Sequence, residues 1–522
     1  MPTHDIVVAG AGHNSLTTAA YAAQAGFDVG VVEADDIVGG NTKTQEHTVP
    51  GLAQDTCSTA HNLIQASPTL KNDELGLLSE YGLSYIHPDP AVVVPFDDGT
   101  SLTIWRDLEK TVAEFEKFSG ADAEAYVQLL EDYEEVAPYY TKARYQPPSE
   151  GTVEEELAKA PNGEEWVRRS RESPREIIER RFEHPKVRAF MAYLALLTVQ
   201  PIDREGGGLR AFTLAYGRQT NSWVLPRGGS GMLPRALVRC IEANGGTIYT
   251  GMPVESVLVE DGRAAGVRTT DGTVFSAKKA VVSTLHVKHL VKALPEEHVP
   301  EDFRRAVDDW EPGVTLFAAH YATEEPPRYR TDNGPQEAVA MGTASSVDNL
   351  VEVSDAFHRG ELKYDDPFIL SLNPTAADES RRVDGLHSYK LVGKLPYDHD
   401  REEHWDDFKE EAAAALLERV REFAPNLTDD VIVEHEVDSP VDLERRNPHN
   451  FAGSCHGGDY TASQYGANRP APGYADYRGP VEGLYLTGAC TWPGGSVSAA
   501  PGRNCAGVLL SDLGPGLEAG IR

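Results

Sequence analysis

Gly10-Ala11-Gly12-His13-Asn14-Ser15 and Glu33 are residues whose types and spacing could handle a nucleotide. Gly10 permits a tight turn. Gly12 lets the backbone approach a pyrophosphate at a helix N-terminus, where free N–H groups and the helix dipole favour anions. Glu33 lies 23 residues after Gly10, close to the spacing of about 20 at which an acidic residue accepts hydrogen bonds from an adenosine ribose. With Ala34 beside it, this carboxylate favours FAD or NAD over a nucleotide carrying a 2′-phosphate. Ser15 stands where a third glycine is usual, and it is small enough for the helix to pack closely. Gly39-Gly40-Asn41-Thr42 adds a second pair of glycines. A second close backbone approach suits a larger cofactor and tilts the reading from NAD to FAD.

The elements that must position these residues are legible around them. Ile6-Val7-Val8-Ala9 reads as a strand buried on both faces. Leu16, Ala19, Ala20 and Ala23 recur at helical spacing, Gly26 suits the position after a helix, and Val29 to Val32 reads as the next strand. Residues 222–284 hold a second block. The glycine-rich turn Leu225 to Gly231 leads into a helix through Leu233, Leu237, Val238 and Ile241. Strands follow at Thr247 to Thr250, Val254 to Glu260 and Gly266 to Thr270, with Asp261-Gly262 and Asp271-Gly272 as hairpin turns. Ala280 to Thr284 reads as a strand returning to the sheet, and Val254 is placed at the cofactor. Near the C-terminus, Gly483 to Cys490 reads as a strand ending in Gly488-Ala489, followed by a loop through Val497 and Ser498 and a helix from Ala499 to Leu513. Backbone N–H groups at such a helix start would stabilise charge on a reduced flavin.

Arg469-Pro470-Ala471-Pro472-Gly473, Gly483 to Ala489 and Pro493-Gly494-Gly495-Ser496-Val497-Ser498-Ala499-Ala500-Pro501-Gly502-Arg503-Asn504 resemble the phytoene desaturase superfamily. The nearest branch is that of phytoene dehydrogenase-related oxidoreductases, including the pyridine nucleotide-disulfide oxidoreductase domain-containing 2 proteins. His13-Asn14 after the second glycine is common there. The resemblance implies one non-covalent FAD in an α/β, split Rossmann-type domain, with an inserted α+β substrate domain and a helical subdomain. The expected division is 1–70, 222–300 and 481–522 for FAD, 71–221 as a mainly helical insertion, and 301–480 as the substrate domain. The chain departs from the family at Ser15, at Trp492 where histidine is frequent, and at Asn41 where related amine oxidases carry arginine.

Composition bounds the partners. The chain has 522 residues and a net charge of −34, which opposes nucleic acid and anionic membranes as general partners. Lysine is scarce, 15 of 48 basic residues. Five cysteines, an odd number without a CxxC motif, exclude a disulfide framework and predict mostly apolar thiols in a reducing compartment. Met1 to Asp5 leads straight into a strand without a signal-type segment, so a cytoplasmic location is expected.

Within 71–221, Leu102 to Gly120 and Ala121 to Val136 show helical spacing. Glu164 to Arg188 carries eight basic and six acidic residues. It reads as a solvated helical stretch with internal ion pairs, or as the one local patch for a membrane or anionic substrate. The apolar run Phe190 to Val199 suits a core helix or the lining of a substrate tunnel. In 301–480, strands are expected at Val314 to Tyr321, Pro367 to Leu372 and Tyr389 to Val392, and a helix at Asp406 to Phe423. His61 and His456 are the candidate acid–base residues. His286 and His289 read as surface residues, and no metal is expected.

The function expected is an FAD-dependent dehydrogenase or desaturase. An apolar or semi-polar substrate gives hydride to flavin N5, and oxygen, a quinone or another acceptor reoxidises the cofactor. The alternatives are a non-redox flavoenzyme, a hydratase or isomerase acting on a double bond, and more remotely a flavin-free prenyl-binding protein.

Overall fold

Valine-rich strands with no polar face must be covered on both sides, and the first sheet meets that demand. The computed structural model describes residues 1–198 and 200–514. Val199 and the end of the last expected segment, 515–522, lie outside the described residues. Thr3–Ala9 sits in the sheet with Val29–Val32 parallel on one side and Val274–Ser283 parallel on the other. Thr247–Tyr249 extends one edge. Leu484–Leu486, from the far end of the chain, pairs with Val281 to Ser283. Ile6 and Val8 face the helices His13–Gln24, Met232–Ala243 and Ala500–Leu513. Val7 and Ala9 face the opposite core with Val257, Val267 and Phe303. The first half of Val274–Ser283 turns antiparallel into the meander of Val254–Glu260 and Arg263–Thr269.

Gly502 sets the closest helix contact. A Cβ there would lie 2.2 Å from the Asn14 carbonyl oxygen, and the Thr18 hydroxyl donates to the Gly502 carbonyl at 2.9 Å. The C-terminal helix is thereby seated on the first helix.

A second sheet of seven strands runs in the order Ile432–Asp438, Phe317–Thr323, His387–Gly393, Ile369–Leu372, Ala340–Gly342, Val92–Pro95, Ser101–Ile104. The last two strands correct the sequence reading: Leu102 to Ile104 is strand, and the helix behind it is Leu108–Glu116, capped by Asp107. Alternation over four residues is too short to outweigh the helical spacing that follows it. Trp405–Phe423 covers one face of this sheet. A helical block including Gly120–Arg144, Pro185–Leu196 and Arg210–Asn221 covers the other.

The apolar run is a core helix: Ala189 to Leu196 are each at most 1% exposed. The basic stretch before it is an ion-pair lattice on short helices. Arg168 pairs with Glu165 and Glu172, Arg171 with Glu154, Arg175 with Glu179 and Asp348, and Arg181 with Asp132. Its positive charge is spent locally. No helix among the described residues is long and apolar enough to cross a membrane.

Candidate functional site

The strand Thr3–Ala9 ends at Gly10, whose φ of +94° favours glycine. A Cβ there would lie 2.4 Å from Thr284 Cγ2. Gly12 opens the helix His13–Gln24 without a side-chain cap, leaving N–H groups for a ligand. The Ser15 hydroxyl donates to the carbonyls of Gly10 and Gly12, at 2.7 and 3.0 Å. The serine in place of the third glycine thus braces the loop from below. Glu33, at the end of Val29–Val32, accepts from the N–H of Ala11 at 2.5 Å and of Asp35 at 3.0 Å. The Gly39 N–H donates to the Ala11 carbonyl at 2.8 Å, and Gly39 bridges Gly12. Gly39 therefore packs against the first loop and not against a ligand, while Gly40 lines the cavity.

Asn41 ties distant chain to this loop. Its amide donates to Asn450 Oδ1 at 2.8 Å, and its Oδ1 accepts from Asn447 and Asn450 at 3.0 and 3.1 Å. From the C-terminal segment, Gly488 has φ +100°, and a Cβ there would lie 2.5 Å from Thr284 Oγ1. Three segments of chain, separated by hundreds of residues, thus meet at Thr284.

Together they line a cavity of about 670 Å³. Gly10, Gly12, His13 and Asn14 bound one end, with Glu33, Ala34, Gly40 and Asn41 beside them. Val254, Gly488, Ala489 and Val497 also line it. Four expected residues do not reach it. Ser15 braces the loop, Gly39 bridges behind it, and the Thr42 hydroxyl donates to the Gly39 carbonyl at 2.6 Å. The Ser498 carbonyl accepts from the Tyr145 hydroxyl at 2.9 Å. Residues that line it carry buried polar atoms without partners: His13 Nε2, Asn14 Oδ1, His449 Nε2 and His456 Nδ1. Such atoms are costly unless a ligand satisfies them. Phosphates, a ribityl chain and ring heteroatoms match them, so the residues present fit an FAD.

The far end is apolar. Leu316, Leu370, Leu372 and Val392 come from the second sheet and its approach, Leu197 from the end of Pro185–Leu196, and Trp223 from behind Arg210–Asn221. The buried Lys390 ammonium donates to the carbonyls of Asp55, Thr56 and Cys57 at 2.6–3.1 Å, fixing the loop that carries Thr59 and Ala60 to the cavity. A second cavity of about 420 Å³, rich in tyrosine, shares His456, Gly495 and Ser496 with the first.

The two candidate acid–base histidines part company. His61 is fully buried away from the cavity, with Nε2 2.7 Å from the Ser230 hydroxyl. Burial pushes its pKa down to about 3. His456 stands between the two cavities, held near pKa 4 by burial and the neighbouring Arg469. The surface reading of His286 is corrected: it is 1% exposed and stacks on Phe451 at 5.1 Å. The loop around residue 450 covers what an isolated helix would expose. His289 is half-buried, and both histidines line the cavity. His449 donates through Nδ1 to the Thr284 carbonyl at 2.8 Å, which turns Nε2 inward. Sequence reasoning missed His449, Arg446, Lys43 and Lys292, all of which line the cavity. It also missed that Cys57 and Cys455 line the cavity, where mostly apolar thiols are the sequence expectation.

Behind this wall His47, His320 and Asp438 cluster, with ligand-type atoms within 4.8 Å of one another. The His47 and His320 rings stack at 4.4 Å and 13°. Nearly parallel rings direct their nitrogens along separate planes, not at one point.

A model of the family described as flavin containing amine oxidoreductase matches residues 16–502. The chain is 28% identical to a limonene dehydrogenase subunit of Castellaniella defragrans, over 98% of this chain and 95% of that protein. It is 25% identical to mouse (Mus musculus) pyridine nucleotide-disulfide oxidoreductase domain-containing protein 2, over 98% and 94%. A solved putrescine oxidase variant, redesigned in cofactor binding, shares the fold with a TM-score of 0.64 at 14% identity, covering 98% of this chain and 99% of that one. With its glycine loops, a carboxylate at the end of the second strand and a family match across nearly the whole chain, the protein belongs to the flavin-containing amine oxidoreductases and is an FAD-dependent oxidoreductase.

Proposed function

We propose that this enzyme dehydrogenates an apolar or semi-polar organic molecule seated at the leucine-lined end of the cofactor cavity. The observation that carries the reading is the continuity of one cavity, from the Gly10–Asn14 loop to Leu197, Leu316, Leu370, Leu372 and Val392. The similarity to a limonene dehydrogenase and to carotenoid desaturases supports an apolar substrate. FAD, when bound, supplies a two-electron acceptor for a hydride from a C–H bond.

The chain's own residues do the rest. The N–H groups after Gly12 would hold the pyrophosphate, and Glu33 would accept from the ribose. Gly488, Ala489 and Val497 bound the flavin end. The apolar side chains orient the substrate and exclude water. His456, neutral at physiological pH, keeps Nδ1 available to accept a proton. His61 instead supports the loop beneath the cavity. Oxygen, a quinone or another acceptor removes the electrons, and the cytoplasmic location expected from the sequence belongs to this proposal.

The test is anaerobic mixing of the purified protein with terpenes, carotenoids and alicyclic compounds while flavin absorbance is followed. Bleaching by one compound is expected. Flavin bands that no compound bleaches, with turnover only after chemical reduction, would overturn dehydrogenation. His456→Ala should slow bleaching about tenfold or more, within the usual range for loss of a proton acceptor. His61→Ala should leave the bleaching rate unchanged and lower the melting temperature.

A further inference from the structure

Arg218 lies on the helix Arg210–Asn221, 7% exposed, and its guanidinium stacks on the Trp223 ring 3.8 Å from the centroid. Its Nε and Nη1 are buried without hydrogen-bond partners, and no carboxylate among the described residues pairs with it. Both Arg218 and Trp223 line the cofactor cavity.

The other deeply buried arginines each have a carboxylate or carbonyl oxygens beside them, although Arg381 Nη1 and Nη2 make no hydrogen bond. Arg381 pairs with Asp55 at 2.9 Å, Arg503 with Glu74 at 2.9 Å, and Arg469 donates to the carbonyls of Ala489, Asp459 and Gln464. Arg218 alone is charged, buried and unmatched among these. Even pushed down to about 9 by burial, it carries its charge at neutral pH. A guanidinium left in an apolar wall is unfavourable unless an anion arrives to meet it. The acidic residues of the cavity, Glu33, Asp35 and Glu255, belong to the first and second FAD segments and not to this wall. A neutral hydrocarbon would leave the charge stranded. Planar, forked donors match a carboxylate in particular.

We propose that the substrate end takes an amphipathic acid, an apolar body with one carboxylate, which docks against Arg218 on its Trp223 shelf while the body lies along the leucines. This rests on the reading of that end as the substrate pocket and names the substrate class. Arg218 is here a specificity residue; the hydride step needs nothing from it.

The experiment titrates the flavin-loaded protein with decanoate and with decanol, read by perturbation of the flavin spectrum and by thermal shift. Decanoate should bind the parent protein about tenfold or more tightly than decanol. Arg218→Met should weaken decanoate roughly thirtyfold, the scale of one charge-assisted hydrogen-bonded pair. Decanol binding and flavin content should not change. Arg218→Lys should recover part of the loss. The melting temperature of Arg218→Met should hold or rise, since no buried partner is stranded by the change. Equal binding of acid and alcohol, or unchanged decanoate binding in Arg218→Met, overturns the inference. So does loss of flavin from that variant, which would assign the charge to the cofactor. If Arg218→Met does not fold, Arg218→Gln carries the same comparison. A parent protein without flavin would fail the functional reading instead, and thermal shift would still compare acid with alcohol.

Discussion

One end of the cavity is made of backbone and the other of side chains. At the nucleotide end, Gly10, Gly12 and Gly40 bring main chain close, and bracing comes from Ser15, Thr42 and the Glu33 carboxylate. At the other end, Leu197, Arg218, Trp223, Leu316, Leu370, Leu372 and Val392 come from widely separated stretches of chain. A ligand held by backbone constrains conformation, and few residue types satisfy it. A ligand held by side chains constrains only shape and polarity, so it can change while the fold stays.

The sharpest way to break this contrast is to damage each end separately. Gly10→Val places a side chain where φ is +94° and a Cβ already meets Thr284. FAD affinity should fall at least about a hundredfold, a loss of roughly 3 kcal/mol. Leu370→Trp fills the other end; flavin content should stay at the parent level while KM rises about tenfold. Flavin-to-protein absorbance ratios and steady-state kinetics measure both. Loss of flavin in the leucine variant would abolish the distinction between the two ends.

Acid should strike the cofactor cavity. His13, His449 and His456 line it and are held near pKa 4, chiefly by burial, below the ordinary 6.5. Between those values the unfolded chain binds more protons than the folded one, so stability rises with pH across the window and is lost as pH falls from about 6.5 towards about 4. Melting temperature and bound flavin should decline together there. A flat profile across that window would show the histidines already charged in the fold.

The smallest effect belongs to Ser15. Ser15→Ala removes the bonds to the Gly10 and Gly12 carbonyls. About 1 kcal/mol of stability and at most about fivefold in FAD affinity should be lost. Calorimetry and flavin titration would show it, and a loss as large as that of Gly10→Val would make Ser15 a ligand rather than a brace.

The nucleotide end was legible because its signals are local. A turn glycine, a helix start and an acid some 20 residues on can be read from one short segment. The strand Val254–Glu260 and the C-terminal strand, loop and helix follow their expected places for the same reason. The hairpin Val92–Pro95 with Ser101–Ile104 was missed because pairing across the second sheet, not local spacing, makes it strand. His286 was misread because a helix face cannot announce that Phe451 will cover it. His61 and His456 looked equivalent as loop histidines. Only packing turns one to Ser230 and the other to the cavity.

The sequence by itself determined the Rossmann-type FAD-binding fold and the cofactor, since backbone conformation is set by nearest neighbours along the chain. Tertiary structure alone decided which leucines meet, which histidine faces the cavity and which arginine is left without a partner. Those are properties of side chains brought together from distant segments, and neither burial nor an unmatched charge exists until the chain has folded around it.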